Sequence, residues 1–585
     1  MSFSKKSKTV CLLTAVFVFL TIFSTGFIQT AKTEAPVALR IGWSVEPDSL
    51  SPFISYTQTG AEIFYLIYDS LVKFDENLNP VGDLAETWDL SEDQLTWTFK
   101  LREGVKWHDG EPFTSEDVKL TYEYMLESGL GMYCDFVTGI ESIECPDELT
   151  VVIKTEKPKA NMLMNPAPII PMHIWKDVSV DELETWPNDN PIGTGPFKFV
   201  EFKQGEYIKL AANDDYFLGR PKIDEVIFIL YANKDTMVQS LKVGELDVAL
   251  NINPNQVEPL KEEDNISVIS ADALGFTELA FNCWTDPASK GNKLLLDKRV
   301  RQSFEWAIDK QQLLEVAYAG QGSPGTTLVP PDGFWHYEPT ADELRDYNVD
   351  KAKELLESAG YTDKDGDGIR EDSEGNKLSF VLLLRADNAE EVKLGQMIAG
   401  MVKEAGIELK TETVDDGILM DKIADGDFDM FIWGWGADID PSTILGIMAS
   451  DQIGNLNDCC YSNPEYDQLL EEQATIMDEN ERQKVVWEMQ KIIYEDAPYV
   501  ILFYDNSLQA VRTDKWTGWK QIPENGPYFF NLTNYNYLNL EPVEPVAAQQ
   551  TAAEKGGAIS PIIIIIIIIV VIAIIVSQIK KKKKG

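Results

Sequence analysis

The chain has 585 residues, of which 44% are hydrophobic and 25% are charged, and its formal net charge is -45. This length exceeds what one hydrophobic core usually supports, so we expect several domains. The composition is that of a globular protein and excludes a disordered chain or a membrane channel. So acidic a surface disfavours nucleic acid or anionic lipid as a partner. We interpret the charge as an aid to solubility or as mild salt adaptation.

The N-terminus has the layout of a secretory signal. Lysines 5, 6 and 8 precede an apolar run at 10–28, and small residues follow it. This order predicts a signal peptide at residues 1–31, with an uncleaved membrane anchor as the alternative. Cys11 lies at the start of the apolar run rather than after it, which argues against a lipid-modified cysteine.

Export would permit disulfides. Among the six cysteines, Cys134 and Cys145 are the predicted pair, because the loop between them is short and polar. Asn265 and Asn531 stand in glycosylation sequons, which are usable only outside the cell.

The first half of the chain favours strands. Period-two patterning at 38–45 and 96–101 predicts two of them, and more strand-like runs occupy residues 150–250. A helix is predicted after Thr114, which is a plausible cap with Asp117 three residues on.

The second half alternates helices with strands. A buried-type strand is predicted at 428–435, and the helices are expected at 299–320, 350–361, 388–406, 463–477 and 480–498. This interleaving predicts an α/β fold.

The sequence lacks the motifs that are typical of enzyme active sites. The three histidines, His108, His173 and His336, are widely separated, and no HExxH or GxSxG pattern occurs. Residues 320–325 match GxGxxG, but they follow a helix rather than a strand, so we predict a loop. We therefore expect a protein that is not an enzyme.

One stretch has the spacing of a calcium-binding loop. Asp363, Asp365 and Asp367 hold positions 1, 3 and 5, and Glu374 holds position 12. Calcium needs six or more oxygens, and this spacing wraps them round one point. Arg370 stands at the usually apolar position 8, and a strand follows, so an Asp/Gly-rich turn is the alternative. No cofactor is otherwise required.

The C-terminus predicts a membrane tether. Residues 542–557 lack aromatic residues and read as a flexible stalk. Residues 558–579 are uncharged and long enough to cross ~30 Å of hydrocarbon. The lysine-rich tail, 580–585, marks the cytoplasmic side and places the rest on the outer face of the plasma membrane. A buried low-complexity strand or an aggregation-prone end is the alternative.

Several ordered motifs resemble one family. They are PDSLSP from Pro47, PVGDLAETWDL from Pro80, LTWTFKLREGVKWHDGEPFTSEDV ending at Val118, PIGTGPFKF from Pro191, LLLDKRVRQSFEWAIDK and NPEYDQLL from Asn463. Together they cover residues 39–540 and resemble the extracellular solute-binding proteins of ABC importers, family 5, whose members bind oligopeptides, dipeptides or nickel.

The resemblance implies a two-lobed periplasmic-binding-protein-like fold of the large class, with an extra subdomain in lobe I. Lobe I is then expected at 38–70, 186–278 and 511–541, its subdomain at 71–185 and lobe II at 279–510. Each lobe would hold part of the ligand site, so that closure adds both sets of contacts together.

The resemblance also implies ligand-binding residues. In peptide-binding relatives an aspartate of a W-x-x-D segment pairs with the peptide α-amine, and Trp435 and Asp438 hold these places here, beside Trp433. The alternative is that Asp438 caps the turn or helix that begins at Pro441. The strand before this loop lacks the arginine with which some relatives grip a peptide carboxylate.

The predicted function is therefore a membrane-tethered, monomeric receptor that captures oligopeptides for an ABC importer. Its partners would be permease subunits and cytoplasmic ATPases. An oligosaccharide-binding member of the family, or a surface sensor without transport, is the alternative.

Overall fold

The computed structural model describes residues 36–331, 334–436, 439–524, 526, 529–530 and 533–543. The predicted signal peptide, transmembrane helix and basic tail lie outside these residues, as does the stalk after residue 543. Within the described ranges, no helix combines the length and the apolar character that a membrane crossing requires.

The strands of the described residues are short except for two. In chain order they are β1 (Ala38–Trp43), β2 (Val72–Phe74), β3 (Pro80–Gly82), β4 (Ala85–Leu90), β5 (Thr96–Leu101), β6 (Ile140–Asp147), β7 (Thr150–Thr155), β8 (Phe197–Lys203), β9 (Tyr207–Ala212), β10 (Glu225–Leu230), β11 (Val248–Ala249), β12 (Ile266–Phe281), β13 (Ser323–Pro324), β14 (Ser379–Arg385), β15 (Glu408–Val414), β16 (Met430–Gly436), β17 (Tyr499–Arg512), β18 (Trp516–Thr517) and β19 (Glu541–Pro542).

The α-helices are α1 (Gln58–Ile67), α2 (Ser115–Ser128), α3 (Met172–Trp175), α4 (Lys234–Val243), α5 (Val257–Lys261), α6 (Lys298–Ala307), α7 (Lys310–Ala317), α8 (Val349–Ser358), α9 (Ala389–Glu404), α10 (Asp416–Ala424), α11 (Ser442–Gly446), α12 (Pro464–Gln473), α13 (Glu479–Asp496) and α14 (Tyr535–Asn539). Short 3₁₀ helices occupy Cys134–Phe136, Met162–Met164, Val180–Thr185, Pro254–Gln256, Lys293–Leu296 and Ser450–Gln452.

One mixed sheet runs through the molecule, in the order β15-β14-β16-β12-β17-β11-β1-β10-β9-β8, with β13 attached to β17. The two long antiparallel strands, β12 and β17, pair with each other in both parts of this sheet. Residues 266–272 of β12 pair with 506–512 of β17, and residues 276–280 pair with 499–504. The register shifts between these two blocks, so a bulge divides the sheet into a first half, towards β8, and a second half, towards β15.

A separate four-stranded sheet, β4-β5-β7-β6, and the β2–β3 hairpin lie within residues 71–185, the range expected for the subdomain. The bulge in β12 and β17 lies a few residues before the expected lobe limits, 278/279 and 510/511. The exact domain boundaries stay a prediction.

Helices cover both faces of the second half. Phe380, Leu382 and Leu384 of β14 pack into one core, whereas Leu383 packs into the other. This alternation follows from the two-residue period of a strand. A strand buried on both faces explains the nearly continuous apolar run in the sequence, and it confirms the α/β prediction.

Local expectations have mixed outcomes. Thr114 forms a capping box with Asp117 at the start of α2, as predicted. The single helix expected at 299–320 is wrong, because the chain breaks at Ile308 and Asp309 accepts a hydrogen bond from the Gln312 amide to start α7. Residues 323–324, within the GxGxxG match, form β13 at the sheet edge, so the dinucleotide motif has no structural support.

The predicted disulfide is also wrong, since Cys134 and Cys145 are both free thiols. Cys134 begins a 3₁₀ helix, and the Cys145 thiol donates instead to the Ser115 carbonyl at 3.2 Å.

His108 holds the PIGTGPF segment against the subdomain. Its Nδ1 accepts from the Gly193 amide at 3.2 Å, and its Nε2 lies 3.0 Å from the Gly195 carbonyl. These partners require Nε2 to carry the proton of a neutral ring. Burial lowers the pKa of His108 to about 4, which agrees with a structural role.

The backbone of Gly193 packs directly against the end of helix α1, which leaves no room for a side chain at this position. A Cβ on Gly193 would lie 1.8 Å from the Ile67 carbonyl oxygen. We expect Gly193→Ala to destabilise the protein by about 1–3 kcal/mol through overpacking, measured as a fall in melting temperature. In Gly400→Ala, where a Cβ meets nothing within 4 Å, the melting temperature should stay the same or rise. Equal melting temperatures for the two variants would contradict this account.

Candidate functional site

The two tryptophans predicted to bind the ligand, Trp433 and Trp435, lie in the last residues of β16. Trp433 pairs with Glu278 of β12, and Trp435 pairs with Phe276. Both indoles are half-buried. Ala437 and Asp438 lie outside the described residues, so the expected amine-binding carboxylate has no described position.

The outer edge of β16 is free among the described strands. Only Met430 and Phe431 pair with β14, which leaves residues 432–436 with β12 on one side and no strand on the other. Gly434 and Gly436 are exposed, so backbone groups at this edge are open to a ligand.

The turn after β16 is capped by Asp440. Its carboxylate accepts from the Ser442 amide at 2.9 Å and binds the Arg482 guanidinium through two bonds of 2.6 and 2.8 Å. The pair is buried. Burial raises the pKa of Asp440, but the bonds from Arg482 outweigh it and hold that pKa below its ordinary value. This capping role is the alternative that the sequence offered for Asp438.

Three carboxylates, Glu278, Asp458 and Asp505, form an acidic cluster beside the tryptophans. Asp458 accepts from the Trp435 indole Nε1 at 3.3 Å and from the Tyr499 hydroxyl. Asp505 accepts from the Thr277 hydroxyl at 3.1 Å.

Glu278 is fully buried, and neither of its oxygens has a hydrogen-bond partner among the described residues. Burial of an unpaired charge is costly, so this side chain needs either a proton or a neighbouring cation.

The pKa shifts in the cluster share one cause. Burial, reinforced by the charges of Asp458 and Asp505, raises the pKa of Glu278 well above its ordinary value. Burial likewise raises the pKa of Asp458, against the hydrogen bonds from Tyr499 and Trp435. It raises the pKa of Asp505 to about 6. The cluster therefore retains protons at a pH where exposed carboxylates have lost them.

Arg385 supplies a cation that the sequence argument missed. It is the last residue of β14, its guanidinium lies 4.6 Å from the centre of the Trp433 ring, and it binds Glu391 at 2.7 Å. Strand β16 contains no arginine, but the neighbouring strand β14 provides one close to Trp433.

The sequence argument also missed Glu278, although a carboxylate within the largely apolar segment 276–281 indicates a buried charged group. No sequence pattern links Asp458 or Asp505 to it, because they approach it only through the fold.

A cavity of 530 Å³ lies between the subdomain and the second half. Phe136, Thr138 and Lys159 line one wall, and Thr443 and Gln452 line the other. The two sides touch where the Ala160 amide donates to the Ala474 carbonyl at 2.9 Å and where the Lys157 ammonium lies 3.5 Å from Glu471.

The expected calcium ligands are only partly together. Carboxylate oxygens of Asp363 and Asp365 lie within 4.8 Å of each other and of Glu371. Asp367 is outside this group, although its carboxylate and that of Asp365 both bind Lys377. Glu374 is exposed and is also outside the group. Calcium binding itself stays a prediction.

A sheet divided at two shared strands, with a separate subdomain facing its second half across a cavity, is the architecture of a two-lobed solute-binding protein. Residues 79–455 match the family model for bacterial extracellular solute-binding proteins, family 5 Middle, and the chain belongs to this family.

Similar proteins agree with this assignment. The oligopeptide-binding protein AppA of Bacillus subtilis is 30% identical over 90% of this chain and 98% of its own length. The structure of AppA with a nonapeptide matches with a TM-score of 0.74 at 29% identity, covering 87% of this chain and all of that one. NikZ of Campylobacter jejuni, solved with Ni(L-His), matches with a TM-score of 0.74 at 25% identity over 87% of this chain and 100% of that one. The family and these relatives are substrate-binding proteins rather than enzymes.

The acidic cluster predicts a pH dependence. A carboxyl whose pKa is raised by folding stabilises the native state while protonated, and this contribution is lost as the pH rises through the folded pKa. Glu278→Gln keeps the shape and removes the ionisation. We expect the melting temperature of the variant to rise relative to wild type as the pH goes from about 5 to 8. A difference that is constant with pH in thermal melts would contradict the assignment.

Proposed function

We propose that this protein is an extracellular receptor that captures peptides for an ABC importer by closing two lobes around them. The free edge of β16 carries the proposal. An extended peptide can add to an open strand edge through main-chain hydrogen bonds, independently of its side chains. The exposed glycines at 434 and 436 leave room for a ligand backbone to approach.

The surroundings of this edge support a peptide ligand. The half-buried faces of Trp433 and Trp435 offer apolar area. We propose that Asp438 binds the peptide α-amine, since it follows this edge directly in the chain. A carboxylate gives an ammonium group a charge-assisted hydrogen bond.

Arg385 suits the other charged group of a peptide. A guanidinium presents donors to more than one carboxylate, and Arg385, the last residue of β14, lies over the Trp433 ring while two of its nitrogens bind Glu391. A ligand carboxylate would share this guanidinium with Glu391. A short peptide or an acidic side chain could therefore bind there. Capture would proceed without covalent chemistry.

Asp438→Asn tests the amine site. A charge-assisted hydrogen bond contributes about 1.5–3 kcal/mol, so we expect the variant to bind a free-amine peptide about tenfold to a hundredfold more weakly. The same peptide with an acetylated N-terminus should bind wild type and variant equally. Isothermal titration calorimetry of both peptides with both proteins gives the comparison.

Two results would count against this proposal. Equal affinity of wild type and Asp438→Asn for the free-amine peptide would remove the amine site. Thermal stabilisation by oligosaccharides and by none of a peptide library would favour the sugar-binding alternative, in which Trp433 and Trp435 stack on sugar rings.

We also propose that residues 558–579 tether the receptor to the outer face of the plasma membrane. The tether would keep it near its permease and cytoplasmic ATPases at high local concentration. The uncharged run, the stalk at 542–557 and the tail at 580–585 support this arrangement.

Truncation tests the tether. In cells that express the chain, removal of residues 558–585 should move the protein from carbonate-washed membranes to the soluble extracellular fraction. Replacement of the tail lysines by serine, with 558–579 intact, is the matched control and should leave it in the membrane. A truncated chain that stays in washed membranes would show that another segment, such as 10–28, anchors the protein.

A further inference from the structure

The turn between α8 and β14 holds a group of acidic side chains that the ligand site does not use. Two isolated β-bridges, Thr362 with Glu371 and Glu371 with Lys377, close this turn. Asp363 and Asp365 are exposed, whereas Glu371 is only 4% exposed. Each offers a carboxylate oxygen within 4.8 Å of the other two.

Of these three residues, Glu371 gives the clearest indication that a ligand binds here. One of its oxygens accepts from the Lys364 amide at 2.8 Å, but its Oε2 is buried with no partner among the described residues. A buried carboxylate oxygen in this state is unfavourable unless a cation reaches it.

The nearby side-chain cations do not neutralise Glu371. The guanidinium of Arg370 donates to the Ala405 and Tyr361 carbonyls and to Glu357. The ammonium of Lys377 lies 2.7 Å from Asp365 and also contacts Asp367. Among the described residues, neither Glu371 nor Asp363 forms an ion pair with a side-chain cation, although the two offer carboxylate oxygens within 4.8 Å of each other.

The turn is shaped for a hard divalent ion. Asp363 accepts from the Gly366 and Gly368 amides at 2.7 and 3.0 Å, and both glycines have positive φ, 80° and 92°, which turns the chain back on itself. Calcium binds oxygens at about 2.3–2.6 Å, so two ligands on opposite sides of one ion are about 5 Å apart. The observed spacing fits that limit.

We infer that Asp363, Asp365 and Glu371 bind one calcium ion, with Glu371 in the place that the loop spacing assigned to Glu374. The remaining ligands would be carbonyl oxygens of the turn and water. The ion would join the exposed turn to the buried Glu371, and hence to the core of the second half, because the neighbouring Arg370 amide donates to the Gly406 carbonyl.

The proposed ion is structural and independent of the proposed function. The turn precedes Ser379, whereas the ligand site adjoins Arg385 at the other end of the seven-residue strand β14, about 20 Å away. Calcium should therefore raise the melting temperature without changing peptide affinity.

Calorimetry on the full-length chain, purified in detergent and stripped with chelator, tests the site. We expect one calcium ion per chain and a melting temperature that rises by several degrees at saturating calcium. Glu371→Gln should lose both effects, and Glu374→Gln should keep both. Asp363→Asn, which changes an exposed residue, provides a second loss variant if Glu371→Gln does not fold.

The outcomes separate the possibilities. No heat and no melting shift with wild type would overturn the inference, as would loss of binding in Glu374→Gln with retention in Glu371→Gln. An equal shift with magnesium would overturn the choice of calcium, since magnesium demands a tighter octahedral site. Retained calcium binding in a variant that no longer binds peptide would support the independence of the two sites.

Discussion

The structure depends on two strands that belong to both halves of one sheet. β12 and β17 run antiparallel for almost their whole length, and a register shift after Asp272 separates their two paired blocks. Each block is fixed by a ladder of main-chain hydrogen bonds, so any movement between the halves must be absorbed near the bulge. A bulge leaves a residue unpaired and bends the strand, which makes it the weakest point of an otherwise continuous sheet.

The same two strands carry the acidic cluster. Glu278 lies just beyond the bulge on β12, and Asp505 lies within the bulge on β17, where it accepts from the Thr277 hydroxyl. The backbone that would move between open and closed states therefore also sets the distance between these two carboxylates. Because charges interact strongly where water is excluded, a small change at the bulge would alter both the protonation of the cluster and its attraction for a cation. The bulge would therefore link the charge of the bound ligand to the relative position of the two lobes.

Much of the architecture was predictable from the sequence, and the reasons are local. A capping residue such as Thr114, a glycine stop or a strand buried on both faces such as β14 leaves its signal within a few residues. The family motifs were recognisable for a related reason: Gly193 has to be glycine because its backbone meets Ile67 directly.

The site was less accessible because it is assembled across distant parts of the chain. Glu278 and Asp458 approach each other only after β12 has paired with β16, and the cation beside Trp433 comes from β14 rather than from the strand in which some relatives carry an arginine. The loop spacing indicated Glu374, although the hydrogen-bonded turn buries Glu371 instead. Spacing along the sequence limits which residues can meet, but side-chain burial decides which of them do.

The open edge of β16 has one more consequence. An unpaired strand edge is where sheets of two different molecules join, and proteins usually protect such edges from aggregation. Here the edge spans only residues 432–436, and glycine alternates with tryptophan along it. Glycine weakens a strand as a partner for stable pairing, and the bulky indoles between the glycines restrict what can lie flat against it. The composition that admits a single extended ligand thus also discourages a second copy of the receptor from taking its place.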